Sequence, residues 1–240
     1  MTYQPDVTHD SEKVGVVTRV AMISDEEASN DELLAHFFEG CRDLIGRVPN
    51  SMRVYGRVPV SAAWLLPFLV SLQREGAGGR LDGRTKELIV LKTSFTNACE
   101  YCATHNTSLG QATGLDLEQI EVLTGNYQDT PVLSDRDKAV VRWAEAVTRN
   151  EAARDRTAFE ALTAYFDEDE IVEITWLSAM FNMLNRVHDS LQLDLELPDD
   201  VAQIQRSSYI PHEAVVRWAA GMVEIMDRRL EGVDRLGERG

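Results

Sequence analysis

The sequence has no apolar run of the roughly 20 residues that a membrane-crossing helix needs. Its longest candidate, residues 58–72, is broken by Pro59 and Pro67. Residues 1–13 are polar and acidic rather than a basic segment leading into an apolar one, so no signal peptide is read there. Basic residues are few, 24 Lys and Arg against 40 Asp and Glu, and the formal charge of −16 repels phosphates and anionic lipid. Neither a nucleic-acid partner nor a membrane partner is expected. Cysteine is also scarce. Three thiols at positions 41, 99 and 102 do not make the even framework of a secreted, disulfide-stapled scaffold, which points to the cytoplasm. Convincing period-two alternation is missing throughout, so the expected fold class is all-α.

What is present is enough apolar material for a core. With 240 residues, 44% hydrophobic and 27% charged, the chain needs no staples to hold together. Residues 1–15 lack periodicity and are read as a mobile tail, with a single all-α domain over 16–240. Helical spacing begins near Asn30, where Leu33, Leu34, Phe37, Phe38, Cys41, Leu44 and Ile45 recur every three or four residues behind a cap at Ser29 or Asn30. Cys41 lies on that apolar face and reads as core packing. Residues 58–73 form a helix apolar on most faces, kinked or restarted at Pro67. Asp82 caps a helix reaching about Asn97, and another runs from about Ala98 to Thr113, stopped by Gly114. A short helix at 117–123, one capped at Ser134, a long one opened by Asp167 with Glu170, and a last one from Pro211 to about Leu230 complete the pattern. A shift of 86 residues sets Glu87 on Glu173, Phe95 on Phe181 and Cys102 on His188, which admits an internal helical repeat or a chance match between helices.

Reactive side chains concentrate in residues 87–105, which hold Glu87, Cys99, Cys102 and His105. Two thiols three residues apart can close a small disulfide, and their reactivity follows the thiolate fraction. With Asn97 as a cap they fall in the first turns of a helix, where free backbone N–H groups and the helix dipole favour a thiolate. His105 is three residues beyond Cys102 and able to exchange a proton. In one continuous helix Glu87 and His105 would be roughly 27 Å apart along the axis. A break near residues 96–98, in the Thr93-Ser94-Phe95-Thr96-Asn97 run, would fold the two segments antiparallel and bring the carboxylate to the thiols. Buried there, Glu87 would relay protons. Three ligands for zinc, or inert buried thiols, are the other readings of the pair. His9, His36, His188 and His212 are scattered and read as ordinary surface or core residues.

The pattern Glu-x(11)-Cys-x-Tyr-Cys-x-x-His in an all-helical chain resembles the AhpD-like alkylhydroperoxidases of the carboxymuconolactone decarboxylase superfamily. Val48-Pro49-Asn50 before it, and Phe181-Asn182 to Asn185-Arg186 after it, look like further family segments, so the resemblance spans about residues 30–195. It implies that Cys102 reacts with peroxide through a sulfenic acid, that Cys99 forms the disulfide, and that Glu87 and the motif His relay protons. In the best-known members that His stands four residues after the second Cys, a place held here by Asn106, with His105 one residue earlier. The decarboxylases of the superfamily lack the cysteine pair.

The resulting expectation is a thiol oxidoreductase that reduces hydroperoxides or a partner disulfide, drawing electrons from a dithiol or a thiol protein, with no bound cofactor and no metal. The resemblance also implies a homo-oligomer. Two alternatives stay open: a decarboxylase or isomerase of a small cyclic acid using Glu87 and His105 as acid and base, and an interaction protein whose thiols bind zinc or sense oxidation. Trp64, Phe68 and Phe181 are the expected pocket contributors.

Overall fold

The computed structural model describes residues 18–237, with side chains to residue 230. The tail read at residues 1–15 lies outside them. No strand occurs among the described residues, only an isolated bridge between Glu75 and Tyr209, and the fold is all-α as expected. Twelve helices follow in chain order: α1 Asp25–Ser29, α2 Glu32–Ile45, α3 Asn50–Tyr55, α4 Pro59–Gln73, α5 Gly83–Thr96, α6 Glu100–Ala112, α7 Leu117–Val122, α8 Asp135–Thr148, α9 Arg156–Thr163, α10 Glu168–Leu191, α11 Pro198–Ala202 and α12 His212–Gly237. A 3-10 turn, Gln203–Ser207, links α11 towards α12.

Helix starts follow side-chain chemistry. Ser134 with Asp137, and Asp167 with Glu170, form reciprocal capping boxes on α8 and α10, which satisfy backbone N–H groups that the first turn leaves free. Asp82 caps α5 through the Thr85 N–H at 2.8 Å. The cap of α2 is Asp31, which accepts from Leu34 N–H at 2.9 Å. The expected cap at Ser29 or Asn30 is displaced because residues 25–29 form a helix of their own behind Ser24. Pro67 sits inside α4 without ending it. The short helices α1, α3, α9 and α11 were not anticipated, since five to eight residues show too few turns for a period to emerge.

The α5 helix is the axis of the fold and packs against α6, α8 and α10. Leu88, Ile89, Val90 and Leu91 are all fully buried, so every face of it meets protein. Its two internal lysines are paired rather than solvated: Lys86 Nζ lies 3.1 Å from Glu173 Oε1, and Lys92 Nζ 3.2 Å from Glu145 Oε1. A buried ammonium needs such a counter-charge.

The chain reverses between α5 and α6 where the weak helix formers predict. Asn97 ends α5, Ala98 turns back in the left-handed region at φ 57°, and Cys99 is the extended N-cap of α6. A left-handed alanine is disfavoured by its Cβ. The conformation is held because Cys99 N–H donates to Ser94 O at 3.0 Å, while Asn97 Nδ2 donates to Asn182 Oδ1 and Asn185 Oδ1 on α10 at 3.0 and 2.9 Å. Asn97 therefore ties the reversal to α10 instead of capping α6. The α5–α6 hairpin packs on α10, α4 contacts both α5 and α10, and α3 meets α6 where Ser51 N–H donates to Tyr101 OH.

Candidate active site

Cys99 and Cys102 stand at the N-terminal end of α6, and both are buried. The Cys99 thiol donates to Cys102 Sγ at 2.8 Å. On its other side Cys102 Sγ pairs with His188 Nδ1 at 2.9 Å. The opposite ring nitrogen, His188 Nε2, meets the Tyr55 hydroxyl at 2.5 Å. Cys102 is thus set between a neutral donor and an imidazole supplied by α10, at a helix start whose free N–H groups favour an anion.

These neighbours decide which sulfur carries charge. Burial alone would raise the Cys102 thiol, but the hydrogen bond from Cys99 and the charge and hydrogen bond of His188 outweigh it, bringing Cys102 down to about 5. Cys99 moves far upward, because it must surrender its hydrogen bond to Cys102 on ionising and because it is buried. One thiolate and one thiol form a division of labour, since two adjacent thiolates would repel.

A second polar cluster lies behind the thiols. Gln73 Nε2 donates to Glu87 Oε1 at 2.9 Å and to Asn106 Oδ1 at 2.8 Å, and Asn106 Nδ2 donates to Cys102 O at 2.7 Å. Burial lifts Glu87 to about 7 against the opposing pull of Arg74, Gln73 and Lys86. A third cluster is built on Glu196. Its Oε1 accepts from Tyr101 OH at 2.8 Å and Asn50 N–H at 2.5 Å, and its Oε2 stands 2.8 Å from His105 Nε2. His105 Nδ1 lies 2.7 Å from Tyr101 O, so the pair with Glu196 is an ion pair only when both ring nitrogens carry protons. Burial works against the Glu196 carboxylate, but His105, Asn50 and Tyr101 together hold it down at about 2.

A cavity of about 70 Å³ opens onto Cys102, His188 and Tyr55. Ile45, Met52, Leu69, Phe181, Leu184 and Ile204 form its apolar wall, and Arg47 and Arg74 add charge. The donor atoms of Cys99, Cys102 and His188 all lie within 4.8 Å of one another, so zinc must be considered. Zinc–sulfur bonds of about 2.3 Å in tetrahedral array set sulfurs roughly 3.8 Å apart. The 2.8 and 2.9 Å separations here are hydrogen-bond distances, and the cluster of three among the described residues is one short of a structural zinc set. As arranged, these atoms fit proton sharing better than metal ligation.

The carboxymuconolactone decarboxylase family matches residues 68–146, the segment carrying α5, the reversal and both thiols, and solved AhpD-like structures share the surrounding helices. In that segment and in its helical fold the chain is similar to the AhpD/carboxymuconolactone decarboxylase superfamily. Members of this superfamily are often enzymes. The chain is 23% identical over 149 residues to uncharacterized protein YnjA of Escherichia coli K12, covering 62% of this chain and 80% of that protein. It is 31% identical over 156 residues to uncharacterized protein Rv2313c of Mycobacterium tuberculosis H37Rv, covering 64% of this chain but only 52% of that longer relative. An AhpD-core, peroxidase-related protein from Ralstonia eutropha JMP134 superposes with a TM-score of 0.64 at 20% identity, over 80% of this chain and 97% of that one. The debrominase Bmp8 gives 0.64 at 20% identity over 80% of this chain and all of Bmp8. At these identities both structures speak to the fold.

The structure brings together the two predicted cysteines but holds the other two predicted site residues away from their sulfurs. Glu87 reaches the thiol segment only through Gln73 and Asn106, because the α4 amide is inserted between carboxylate and thiols. His105 is turned to Glu196 and Tyr101. Asn106, in the position where the best-known members carry His, forms the contact to the Cys102 backbone. The imidazole at the sulfur is His188, which sequence reasoning set aside as an ordinary residue. The signal that could have found it was the 86-residue register, which superposes His188 on Cys102. Phe181 lines the cavity as expected. Trp64 and Phe68 do not; both are exposed, with the Phe68 ring 6.0 Å from that of Trp176.

Proposed function

We propose that the protein is a thiol-dependent oxidoreductase that reduces hydroperoxides, using Cys102 as nucleophile and Cys99 as resolving thiol. The observation that carries this reading is Cys102 Sγ set between Cys99 and His188 at the floor of a small, mostly apolar cavity. In the first step the Cys102 thiolate attacks the terminal peroxide oxygen. The O–O bond breaks, Cys102 becomes a sulfenic acid, and the departing alkoxide takes a proton from His188. Cys99 sulfur then attacks the sulfenic sulfur, forming the Cys99–Cys102 disulfide and releasing water, with the thiol proton passing to the leaving hydroxide.

A dithiol or thiol-protein donor restores the resting state. Its thiolate attacks Cys99, since Cys102 is the better-stabilised leaving thiolate, and its second thiol resolves the mixed disulfide. In this scheme Glu87 is a proton reservoir on the rear wall, acting through Gln73 and Asn106, and His105 positions Glu196 and Tyr101. A cytoplasmic, reducing setting suits the cycle. A homo-oligomer is part of the same reading, supported by the exposed rings of Trp64, Phe68 and Trp176; sedimentation velocity measures it.

The decisive experiment is turnover of a hydroperoxide with a dithiol donor in wild type and in Cys102→Ser and Cys99→Ser variants. The reading requires Cys102→Ser to lose turnover and Cys99→Ser to accumulate a trappable sulfenic acid on Cys102. Full peroxide turnover in Cys102→Ser refutes it, and activity on a cyclic acid surviving loss of both thiols would favour acid–base chemistry in its place.

A further inference from the structure

Two arginines on the cavity wall have no work in the scheme above. Arg47 and Arg74 are only 7% and 3% exposed, yet neither forms an ion pair among the described residues. The Nε of Arg47 and the Nε and Nη1 of Arg74 are buried without a hydrogen-bond partner. Guanidinium groups remain charged in proteins and offer a planar fork of donors matched to carboxylates. Burial lowers Arg74 to about 10, with Glu87 pulling it back up and Arg47 adding to the fall, so it stays charged at neutral pH. A buried cation with idle donors is costly unless something anionic completes it.

The acidic groups nearby are already engaged or only partly charged. Glu87 faces Arg74 but has its pKa lifted to about 7 and binds Gln73. Glu196 and Asp200 face Arg47, and Glu196 is committed to His105, Tyr101 and Asn50. Both arginines open onto the same cavity as Cys102, beside apolar side chains. A void of about 70 Å³ exceeds the roughly 15 Å³ that one water requires by several-fold, which suits a carboxylate with a few carbons.

We propose that Arg47 and Arg74 form an anion-binding subsite that selects small substrates bearing a carboxylate and presents their reactive end to Cys102. This rests on Cys102 being the reacting thiol, and the subsite has a readout that does not need peroxide turnover. Iodoacetate and iodoacetamide alkylate the same sulfur and differ mainly in carrying a carboxylate or a neutral amide. The ratio of their rates at Cys102, normalised to that of 2-mercaptoethanol, cancels any change in thiolate content.

In wild type the normalised ratio is expected to favour iodoacetate by about tenfold, the worth of a charge-assisted contact. Arg74→Gln and Arg47→Gln should each bring it down by a large part of that factor. Butyrate, and not butyramide, should protect wild-type Cys102 from iodoacetamide. A wild-type ratio equal to the free thiol's, with no protection by butyrate, means that water alone satisfies the arginines and overturns the subsite; this result needs no variant to fold. An elevated ratio unchanged in both variants also overturns it. If neither reagent labels Cys102, the nucleophile assignment fails by itself, and the subsite is then decided by whether butyrate raises the wild-type melting temperature above the effect of butyramide.

Discussion

Replacing His188 by Gln tests the electrostatic core of the site. His188 supplies both a charge and a hydrogen bond to Cys102, which otherwise has burial against it and the Cys99 thiol and Asn185 side chain in its favour. Without the imidazole, the thiol is expected to climb from about 5 towards or above the ordinary value of about 8.5. At pH 7 the thiolate fraction would fall from about 99% to about 3%, roughly thirtyfold. A single rate at pH 7 would conceal this, because a more basic thiolate is also a better nucleophile. With a Brønsted coefficient of about 0.45, a rise of about 3.5 units raises intrinsic reactivity roughly fortyfold and offsets the loss. The pH midpoint is therefore the quantity to read. The rate of iodoacetamide labelling is followed from pH 4 to 10, with tandem mass spectrometry placing the label on Cys102. Wild type should plateau above about pH 6, and His188→Gln should still be rising at pH 8. A variant midpoint that stays near 5 would show that Cys99, Asn185 and the helix start suffice, and would remove His188 from the mechanism.

Three further outcomes follow from the same geometry. His105→Gln should leave the Cys102 midpoint within about half a unit of wild type, because His105 contacts Glu196 and Tyr101 rather than a sulfur; a shift as large as that of His188→Gln in the same labelling assay would contradict this placement. Glu87→Gln should change how stability depends on pH. The Glu87 carboxyl is raised to about 7 in the fold against about 4.3 unfolded, so its contribution is fully present below about pH 4.3 and is lost as pH rises through 7, roughly 3 to 4 kcal/mol in all. Urea unfolding at pH 5 and pH 8 should show the variant gaining on wild type at the higher pH, and equal slopes would refute a protonated Glu87. Glu196→Gln should cost about 3 kcal/mol near neutral pH, since the buried carboxylate is held down at about 2 and accepts from Tyr101 and Asn50; a melting curve matching wild type would show that the charge on Glu196 contributes nothing to the fold.

The fold was legible where a physical rule acts over many residues. The face of α2, the caps at Asp82, Ser134 and Asp167, and the apolar run of α4 each repeat a constraint often enough to be read. The reversal between α5 and α6 was legible for a different reason, since Thr93 to Asn97 are weak helix formers and two reactive segments could meet only if the chain turned there. Its mechanism was not: Asn97 looks like a helix cap in sequence, but its amide is spent on Asn182 and Asn185, partners 85 and 88 residues away that no local pattern names. Nor does composition reveal that Gln73 would stand between Glu87 and the thiols.

The site divides along the same line. Cys99 and Cys102 are close in sequence, so their spacing alone predicts that their sulfurs can meet. His188 and His105 are indistinguishable by type, and sequence proximity favours His105, which lies on the same helix as Cys102. On α6, however, the Cys102 sulfur is directed towards α10, whereas His105 is one residue short of the position occupied by Asn106 and faces the loop that carries Glu196. The imidazole that reaches the sulfur therefore comes from α10, the helix that also holds the α5 arm of the hairpin through Thr93 with Ser178 and Asn97 with Asn185. With the proton partner on a separate helix, the Cys102–His188 distance becomes a property of α6–α10 packing. Any change that loosens this packing should weaken the thiolate before it unfolds the chain.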